Sequence, residues 1–495
     1  MKKIVIALLS TLIVCLSITG CTINTEKTYD LVIIGGRVID PETGMDAIRN
    51  VGINKGRIDA VSSMHLSGKQ QINATGLVVS PGFIDLHAHG QSIAAQTYHV
   101  RDGVTAALEL EGGANPFPDD VPEVQPLPKQ LGERQGKSLI HYGYSAGYGS
   151  ARFRVKNKDI QKTIYEIASE NERKQILSFV EQDLDDGAMG IGLPLDYMSK
   201  GVNDAELEDL FRLAARRNIP LFVHIRMSDD ASDPSGFEEL VTLVRKTGAA
   251  LHMVHVTSTG LQRLPHYIEM MEQARADGFD ITTEVYPYTA NMTGITAQLL
   301  DNDWETRWGI SYQDLEWPPT GERFTGKGMW DEYREKYPHG LVIMHSMKEE
   351  WVEMAIRHPG IMIISDGAAI QSMDQRTHPR MAGTYARVLG RYVREKNIIS
   401  LSKAIAKMSY LPARRLENFT SVMKRKGRIQ VGADADITVF DPDTVIDRAT
   451  FAEPNQFSEG IKYVIVDGKI VVKNEMIQPG IFPGKPISSM SSDGL

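Results

Sequence analysis

The chain contains very little cysteine. Cys15 and Cys21 are its only cysteines among 495 residues, which excludes a disulfide framework and leaves histidine, aspartate, glutamate or a modified lysine for a metal site in the body of the chain. A stripe of lysine and arginine is also lacking, and the formal net charge is −9. Because phosphate backbones are bound by clustered cations, nucleic acid is not expected as a partner.

The first 20 residues have the pattern of an export signal. Two lysines precede an almost wholly apolar run from Ile4 to Ile18, which is shorter than the roughly 20 residues that a membrane span needs. Residues 17–21, Ser-Ile-Thr-Gly-Cys, resemble a bacterial lipobox, in which the cysteine is acylated. We therefore expect a lipoprotein signal peptide over residues 1–20 and a membrane anchor at the lipidated Cys21. The protein would then lie in the cell envelope outside the cytoplasm, in the periplasm or at the outer membrane of a Gram-negative cell; an ordinary secretory signal is the alternative.

The alternation of apolar runs predicts a large α/β barrel. From about residue 84 onwards, longer stretches of helical period separate short apolar runs, such as 219–223, 250–256, 281–286, 341–345 and 361–365. This alternation is typical of parallel strands with crossover helices, and a count near eight favours a closed (β/α)8 TIM barrel over an open sheet. We assign the barrel to residues 81–420. Residues 302–336 break this rhythm and are expected to lie near the active-site face.

Short β runs flank the barrel region at both ends of the chain. Residues 29–39 contain two such runs around a Gly-Gly turn, and later runs continue the β character up to residue 79. Beyond a turn at 427–432, short strands return. The simplest architecture joins residues 27–80 and 421–482 into one small β-sandwich, which the barrel divides in sequence.

The strongest local motif is Pro-Gly-Phe-Ile-Asp-Leu-His-Ala-His-Gly at residues 81–90. His87 and His89 are two residues apart, so in a strand their side chains point to the same face and can bind one ion. Barrel enzymes keep their active sites at the C-terminal ends of the strands. His87 and His89 are therefore predicted to be metal ligands.

Further candidate ligands end other apolar runs. His224 and His255 each close such a run, and Asp366 directly follows residues 361–365. Taken singly, each could be a buried histidine or a turn aspartate, but their common position at strand ends favours metal binding. His252 and His345 are interpreted as structural, with a role in supporting the ligands as the alternative for His345.

Together these segments resemble the amidohydrolase superfamily, and specifically its D-aminoacylase branch, the N-acyl-D-amino-acid deacylases. The similarity extends over residues 29–475 and includes Gly-Val-Thr at 103–105, Tyr-Pro-Tyr at 286–288, Ser-Asp-Gly at 365–367 and His-Pro-Arg at 378–380. The resemblance implies a TIM barrel with one or two Zn²⁺ ions, other divalent metals being possible. It also implies hydrolysis of a linear amide, with a small acyl amino acid or a short peptide-like molecule as the substrate.

Two positions depart from the family pattern. Where the family has a cysteine ligand after Gly-Val-Thr, this chain has Glu109 and Glu111, which share a face in a strand. A carboxylate can bridge two cations, and Glu111, nearer the strand end, is the preferred ligand; the alternatives are Glu109 or neither glutamate. Thr257 stands where the family tends to place a lysine for the substrate carboxylate.

The resemblance also assigns the substrate site and the proton transfer. Asp366 would be a metal ligand and the catalytic group that carries a proton from water to the leaving amine. Arg380, whose guanidinium suits a carboxylate, would anchor the amino acid. Tyr286 and Tyr197 match positions that line the substrate pocket.

Two other functions fit parts of the sequence. Cyclic amidases and isoaspartyl-type dipeptidases often carry a carboxylated lysine on a middle strand, but no lysine ends an apolar run in that region. A non-catalytic lipoprotein that binds a ligand in its barrel is the alternative outside the enzymes. The joint presence of the predicted metal ligands argues against it.

Overall fold

The computed structural model describes residues 27–114, 124–228, 230, 232–301 and 303–490. The predicted signal peptide and Cys21 lie outside these residues. Within them, none of the helices combines the length and the apolar character that crossing a membrane requires.

The strands fall into four sheets. In chain order they are β1 (Thr28–Asp40), β2 (Met45–Asn54), β3 (Arg57–Ser62), β4 (Ser67–Asn73), β5 (Val78–Pro81), β6 (Phe83–Asp85), β7 (Val104–Glu109), β8 (His141–Tyr144), β9 (Ala146–Gly147), β10 (Ile191–Pro194), β11 (Pro220–His224), β12 (Ala250–Met253), β13 (Ile281–Val285), β14 (Asn291–Gly294), β15 (Leu315–Trp317), β16 (Glu322–Arg323), β17 (Leu341–Met344), β18 (Ile361–Ile363), β19 (Ile437–Phe440), β20 (Ile461–Val466), β21 (Lys469–Lys473) and β22 (Met476–Ile477).

Most of the helices lie in the connections between barrel strands, and the last three follow the last barrel strand. They are α1 (Ile93–Arg101), α2 (Leu127–Arg134), α3 (Tyr148–Val155), α4 (Ile160–Tyr165), α5 (Glu170–Asp185), α6 (Asp204–Arg217), α7 (Ser235–Thr247), α8 (Val256–Gly260), α9 (Leu264–Ala276), α10 (Trp304–Trp308), α11 (Lys327–Lys336), α12 (Glu349–Arg357), α13 (Arg380–Arg387), α14 (Leu401–Ile405) and α15 (Leu411–Leu416). Two π-helical segments continue α13 and α14, at Val388–Glu395 and Ala406–Tyr410.

Capping residues define the ends of the long helices. Before α5, the Ser169 hydroxyl accepts from the backbone N–H of Glu172, whose carboxylate accepts from the backbone N–H of Ser169, so that a complete capping box forms. At the start of α6 the Asn203 side chain accepts from the backbone N–H of Glu206, and Asn218 ends the helix in a left-handed conformation with φ 51°. Such local signals place the helix ends independently of the barrel.

Both ends of the chain build one nine-stranded sheet. Its order is β22-β21-β20-β19-β5-β1-β2-β3, and β4 pairs with β1. The antiparallel pair of β5 and β19, with Val79 opposite Val439, links the N-terminal strands to the C-terminal ones. Ile33 and Ile465, both completely buried, belong to the hydrophobic cluster around which this sheet packs. The β domain therefore has a core of its own.

The middle of the chain forms a barrel of parallel strands. β6, β7 and β8 are hydrogen-bonded in order, and β9 to β13 continue in order to β18. Only Ser145 separates β8 from β9, which together form one interrupted strand, so the barrel has eight strands. All five residues of β11 are buried, as expected of a parallel strand with the lumen on one face and helices on the other.

The barrel closes between its first and last strands. The backbone N–H of Asp366 donates to His87 O, and that of His89 donates to Gly367 O, each over 2.9 Å. Ala88 and Gly367 are partners in a parallel β-bridge between the two segments. Closure thus joins the segments that carry His87, His89 and Asp366 directly through their backbones.

The apolar run at 341–345 is not a barrel strand, so the sequence-based prediction was wrong there. β17 pairs antiparallel with β14 and β15 in a separate four-stranded sheet. β15 and β16 of this sheet come from residues 302–336, which interrupt the barrel pattern. A short apolar run predicts that its residues are buried but does not determine which sheet they join.

Candidate metal centre and active site

The predicted metal ligands meet at one rim of the barrel. They end or directly follow five strands: His87 and His89 follow β6, Glu111 follows β7, His224 ends β11, His255 follows β12 and Asp366 follows β18. All of them except His89 are buried. Parallel strands in a closed barrel bring their C-terminal ends together, which explains how residues up to 279 positions apart in the chain share one site.

Glu111 lies between histidines of several strands. Its Oε2 is 2.9 Å from His87 Nε2 and 3.4 Å from His89 Nε2. Its Oε1 is 2.7 Å from His224 Nδ1. Glu109 instead contacts the other ring nitrogen of His89, with 2.9 Å between Oε2 and Nδ1, and accepts from the backbone N–H of Gly112. Glu111, the preferred candidate, thus contacts three of the candidate histidines, and Glu109 only one.

Two groups of side chains could each hold a metal ion. One consists of His87, Glu111 and His255, the other of His87, His89 and Asp366, and in each the donor atoms lie within 4.8 Å of one another. His87 belongs to both groups. His224 joins the first group through its contact with Glu111 and through its ring, whose centroid is 4.6 Å from that of His255.

The electrostatics of the site keep its carboxylates ionised. Burial alone raises the pKa of Asp366, but Arg380 and His87 outweigh this effect and lower the pKa below its ordinary value. Glu111 behaves alike, because burial raises its pKa while His87 and His224 lower it well below the usual range. Burial, reinforced by His224, lowers the pKa of His255 to about 3. Burial also lowers the pKa of His87, but Asp366 and Glu284 outweigh it and raise this pKa well above its ordinary value. Ionised carboxylates are the forms that bind metal.

Two of the candidate ligands occupy backbone conformations that residues with a side chain rarely adopt. Asp366 has φ 51° and His255 has φ 30°, in the left-handed region that non-glycine residues avoid. Such backbone strain typically persists at functional sites, because the surrounding structure holds the residue in place. At Asp366 the restraint is visible in the backbone hydrogen bond to His87 O.

The predicted substrate-binding residues lie beside the ligands. Arg380 Nη1 is 2.8 Å from Asp366 Oδ2, and its guanidinium carbon lies 4.6 Å from the ring centroid of Tyr286. The Tyr197 ring packs edge-on against His224, with 5.0 Å between centroids. The Tyr197 hydroxyl accepts from Thr293 Oγ1 of the small sheet over 3.3 Å. All three predicted residues therefore contact a metal-ligand candidate or one of its neighbours.

The remaining polar residues singled out in the sequence occupy distinct places. His345 Nε2 lies 2.9 Å from Glu316 Oε2, and its ring packs against Phe451, so it belongs to neither ligand group. Thr257 is buried in α8, and its hydroxyl has no hydrogen-bond partner among the described residues.

Comparison with known proteins identifies the family. The family model described as "Amidohydrolase family" matches residues 137–472. The chain belongs to the amidohydrolase family. This amidohydrolase is 30% identical over 471 residues to the N-acyl-D-glutamate deacylase of Alcaligenes xylosoxydans xylosoxydans, covering 90% of this chain and 93% of the relative. It is 27% identical over 484 residues to the D-aminoacylase of the same organism, covering 90% and 95%.

A solved structure agrees with both the family and the fold. The crystal structure of the N-acyl-D-glutamate deacylase from Bordetella bronchiseptica, complexed with zinc and a phosphonate inhibitor, has a TM-score of 0.80 and 27% identity, covering 93% of this chain and 100% of that one. The D-aminoacylase branch and the TIM-barrel fold predicted from the sequence are thereby confirmed. The alternative of a non-catalytic lipoprotein finds no support.

One residue of this amidohydrolase site was missed in the sequence. Glu284, in β13, is completely buried and lies 2.6 Å from His87 Nδ1 through Oε1 and 2.8 Å from His252 Nε2 through Oε2. Although burial raises the pKa of Glu284, His252 and His87 lower it to about 2. A carboxylate inside an apolar strand was the available signal, because such a group is rarely buried without partners.

Proposed function

We propose that this amidohydrolase cleaves N-acyl-D-amino acids into a carboxylate and a free D-amino acid. The observation that carries the proposal is the position of Glu111. Its Oε1 contacts His224, and its Oε2 contacts His87 and His89, so that it touches candidate ligands of both groups. Beside them, Arg380 offers a cation to the carboxylate of an amino acid. The names of the relatives, N-acyl-D-glutamate deacylase and D-aminoacylase, support the same reaction.

The donor set fits zinc. Imidazole nitrogens and carboxylate oxygens are ligands that Zn²⁺ accepts, and a carboxylate with both oxygens turned towards ligand histidines suits a bridging position. His87, His89 and Asp366 would hold one ion, and Glu111, His224 and His255 a second. A bound ion would supply Lewis acidity, lowering the pKa of a water molecule and polarising the substrate carbonyl.

Asp366 is positioned to move the proton. Its Oδ1 lies 3.3 Å from His89 Nε2 and 3.6 Å from His87 Nε2, while Oδ2 contacts Arg380. As an ionised carboxylate, Asp366 accepts a proton from the attacking water and then donates it to the amide nitrogen. A carbon–oxygen bond forms, the carbon–nitrogen bond breaks, and the amine leaves with the proton that the water lost.

Arg380 and Tyr286 are suited to bind the carboxylate of the amino acid. Arg380 Nε and the Tyr286 hydroxyl are buried and have no hydrogen-bond partner among the described residues. A buried donor without a partner costs about 1–3 kcal/mol, and a substrate carboxylate would satisfy both donors with charge-assisted bonds. Thr257 could add a neutral hydroxyl but no second positive charge. The site therefore suits one carboxylate on the released amino acid.

The reaction is tested with purified, zinc-supplied protein and a panel of N-acetyl amino acids. We expect kcat/KM to be at least tenfold higher for the D than for the L enantiomers of glutamate, methionine and leucine derivatives. The methyl ester of the best substrate, which lacks the carboxylate, is the matched control and should be hydrolysed poorly at its amide. Equal turnover of acid and ester, or faster opening of dihydrouracil or hydantoin rings, would contradict the proposal.

We further propose that Cys21 carries a lipid anchor, so that the enzyme acts on the outer side of the cytoplasmic membrane. The support is the apolar segment before the Ser-Ile-Thr-Gly-Cys sequence at 17–21. Labelling of growing cells with an alkyne fatty acid should mark the wild-type chain but not a Cys21→Ser variant. Equal labelling of both chains would rule out this anchor, and no labelling of either would favour an ordinary secretory signal.

A further inference from the structure

The two ring nitrogens of His87 face different partners. Nε2 faces the candidate ligands, with Glu111 Oε2 at 2.9 Å and His89 Nε2 at 3.2 Å. Nδ1 faces away from them and lies 2.6 Å from Glu284 Oε1. When Nδ1–H donates to Glu284, the lone pair of Nε2 is directed at the metal site. The contact therefore selects the tautomer of His87 as well as its ring orientation.

Glu284 is itself held rigidly. Its Oε2 lies 2.8 Å from His252 Nε2, and His252 Nδ1 lies 2.8 Å from Thr282 Oγ1. Its Oε1 also accepts from the backbone N–H of His255 over 3.4 Å. One buried carboxylate thus contacts candidate ligands that follow two different barrel strands. His252 and Thr282, which are not candidate ligands, fix its direction.

Glu109 makes the corresponding contact with the second histidine of the motif. Its Oε2 lies 2.9 Å from His89 Nδ1, while its Oε1 is fixed by the backbone N–H of Gly112 over 3.0 Å. The side chain of Glu109 is completely buried. His87 and His89 therefore each have a carboxylate on the ring nitrogen that points away from the site.

We propose that Glu284 and Glu109 are positioning residues of the metal centre. Glu284 acts on one metal site through His87 and on the other through the backbone of His255, and Glu109 acts on one site through His89. The division follows from the contacts, because Glu284 contacts His87 and the backbone of His255, whereas Glu109 contacts only His89 among the candidate ligands. Carboxylates on the far nitrogen of a ligand histidine fix its tautomer and raise its basicity, and their loss typically weakens metal binding by about 10–100-fold.

The inference rests on the metal centre of the proposed function but not on its substrate. The test is zinc titration of the metal-free, detergent-solubilised full chain against a chromophoric chelator, which requires no turnover. We expect two binding steps in the wild-type protein. Glu284→Gln should weaken both steps about 10–100-fold, and Glu109→Gln should weaken one step by a similar factor and leave the other unchanged.

Glu316→Gln is the matched control. Glu316 is also a buried carboxylate paired with a histidine, His345, over 2.9 Å, but this pair belongs to neither ligand group. The control should keep both wild-type zinc affinities. The midpoint of thermal unfolding of each metal-free variant separates loss of zinc binding from loss of fold.

His252→Phe provides a second route if Glu284→Gln does not fold. The His252→Phe variant removes the donor to Glu284 Oε2 and leaves His87 unchanged. The zinc affinities of both binding steps should again weaken. Wild-type affinity in both Glu284→Gln and His252→Phe would overturn the role of Glu284. A single zinc-binding step in the wild-type protein, or equal weakening of both steps by Glu109→Gln, would overturn the division between the two carboxylates. An enzyme that binds zinc as expected but cleaves no acyl amino acid would count against the proposed function alone.

Discussion

Arg380 and Asp366 form an ion pair inside the active site, with 2.8 Å between Nη1 and Oδ2. The side chains are only 2% and 8% exposed, so solvent screens the pair weakly. Arg380 also packs against the Tyr286 ring. The residue proposed to bind the substrate carboxylate therefore also contacts the proposed catalytic carboxylate.

Replacing Asp366 by asparagine should nearly abolish turnover. Asparagine keeps the shape of the side chain but cannot accept and return a proton, a role worth about 10²–10⁴-fold in rate. The loss should appear in kcat for the best N-acyl-D-amino acid under saturating zinc. The exposed Asp443 supplies the control variant Asp443→Asn, and near-normal activity of Asp366→Asn would remove Asp366 from the catalytic role.

Arg380→Lys should raise KM for the N-acyl-D-amino acid and change the affinity for zinc by a smaller factor. A lysine ammonium is a single point charge and cannot contact Asp366 and a substrate carboxylate with the geometry of a guanidinium. We expect KM to increase at least tenfold, measured with the D substrate and its matched ester. If KM for the acid stays at the wild-type value, the carboxylate is bound elsewhere.

Glu111→Ala should reduce the metal content of the protein. Because Glu111 contacts His87 and His224, its removal takes a shared ligand from the centre. Plasma mass spectrometry should find two zinc-like ions in the wild-type chain and one or none in the variant. Glu316→Ala is the control and should keep the wild-type content, whereas an unchanged content in Glu111→Ala would exclude a bridging role.

Lys407 should make stability depend on pH above neutrality. Burial lowers the pKa of Lys407 to about 7, whereas the pKa of a lysine in the unfolded chain is about 10.4. Between these values the unfolded chain binds more protons, so the free energy of unfolding rises with pH, by up to about 1.4 kcal/mol per unit, and levels off below pH 7.

The Lys407→Met variant isolates this effect. It lacks the titrating group, so the difference in unfolding temperature between wild type and variant should shift in favour of the wild type from pH 7 to pH 10. Lys407 Nζ also donates to Ala355 O, and loss of that bond lowers stability equally at every pH. A difference that stays constant over this range would show that Lys407 is charged in the folded protein.

The proximity of the candidate ligands could be predicted because they end or closely follow apolar runs. His224 ends β11, and His87 and Asp366 follow β6 and β18, so strand direction alone indicates that they meet at one rim. The two-residue spacing of His87 and His89 was equally informative. Glu109 and Glu111 have the same two-residue spacing. That spacing did not predict that Glu109 contacts His89 Nδ1 and that Glu111 contacts His224.

Other features depended on contacts that no local pattern reports. The run at 341–345 has the composition of a barrel strand, but pairing with β14 and β15 places it in the small sheet. Glu284 and His87 are 197 residues apart, and no feature near either residue indicates their 2.6 Å contact.

The sequence by itself determined the family, the barrel and the donor types, because strand periodicity and short motifs are local properties of the chain. The tertiary structure decided which candidate donors lie together, which carboxylates contact their far ring nitrogens and which cation pairs with Asp366. Barrel closure is the physical reason: it brings the ends of strands that are distant in sequence within hydrogen-bonding distance, as in the backbone bond from Asp366 to His87.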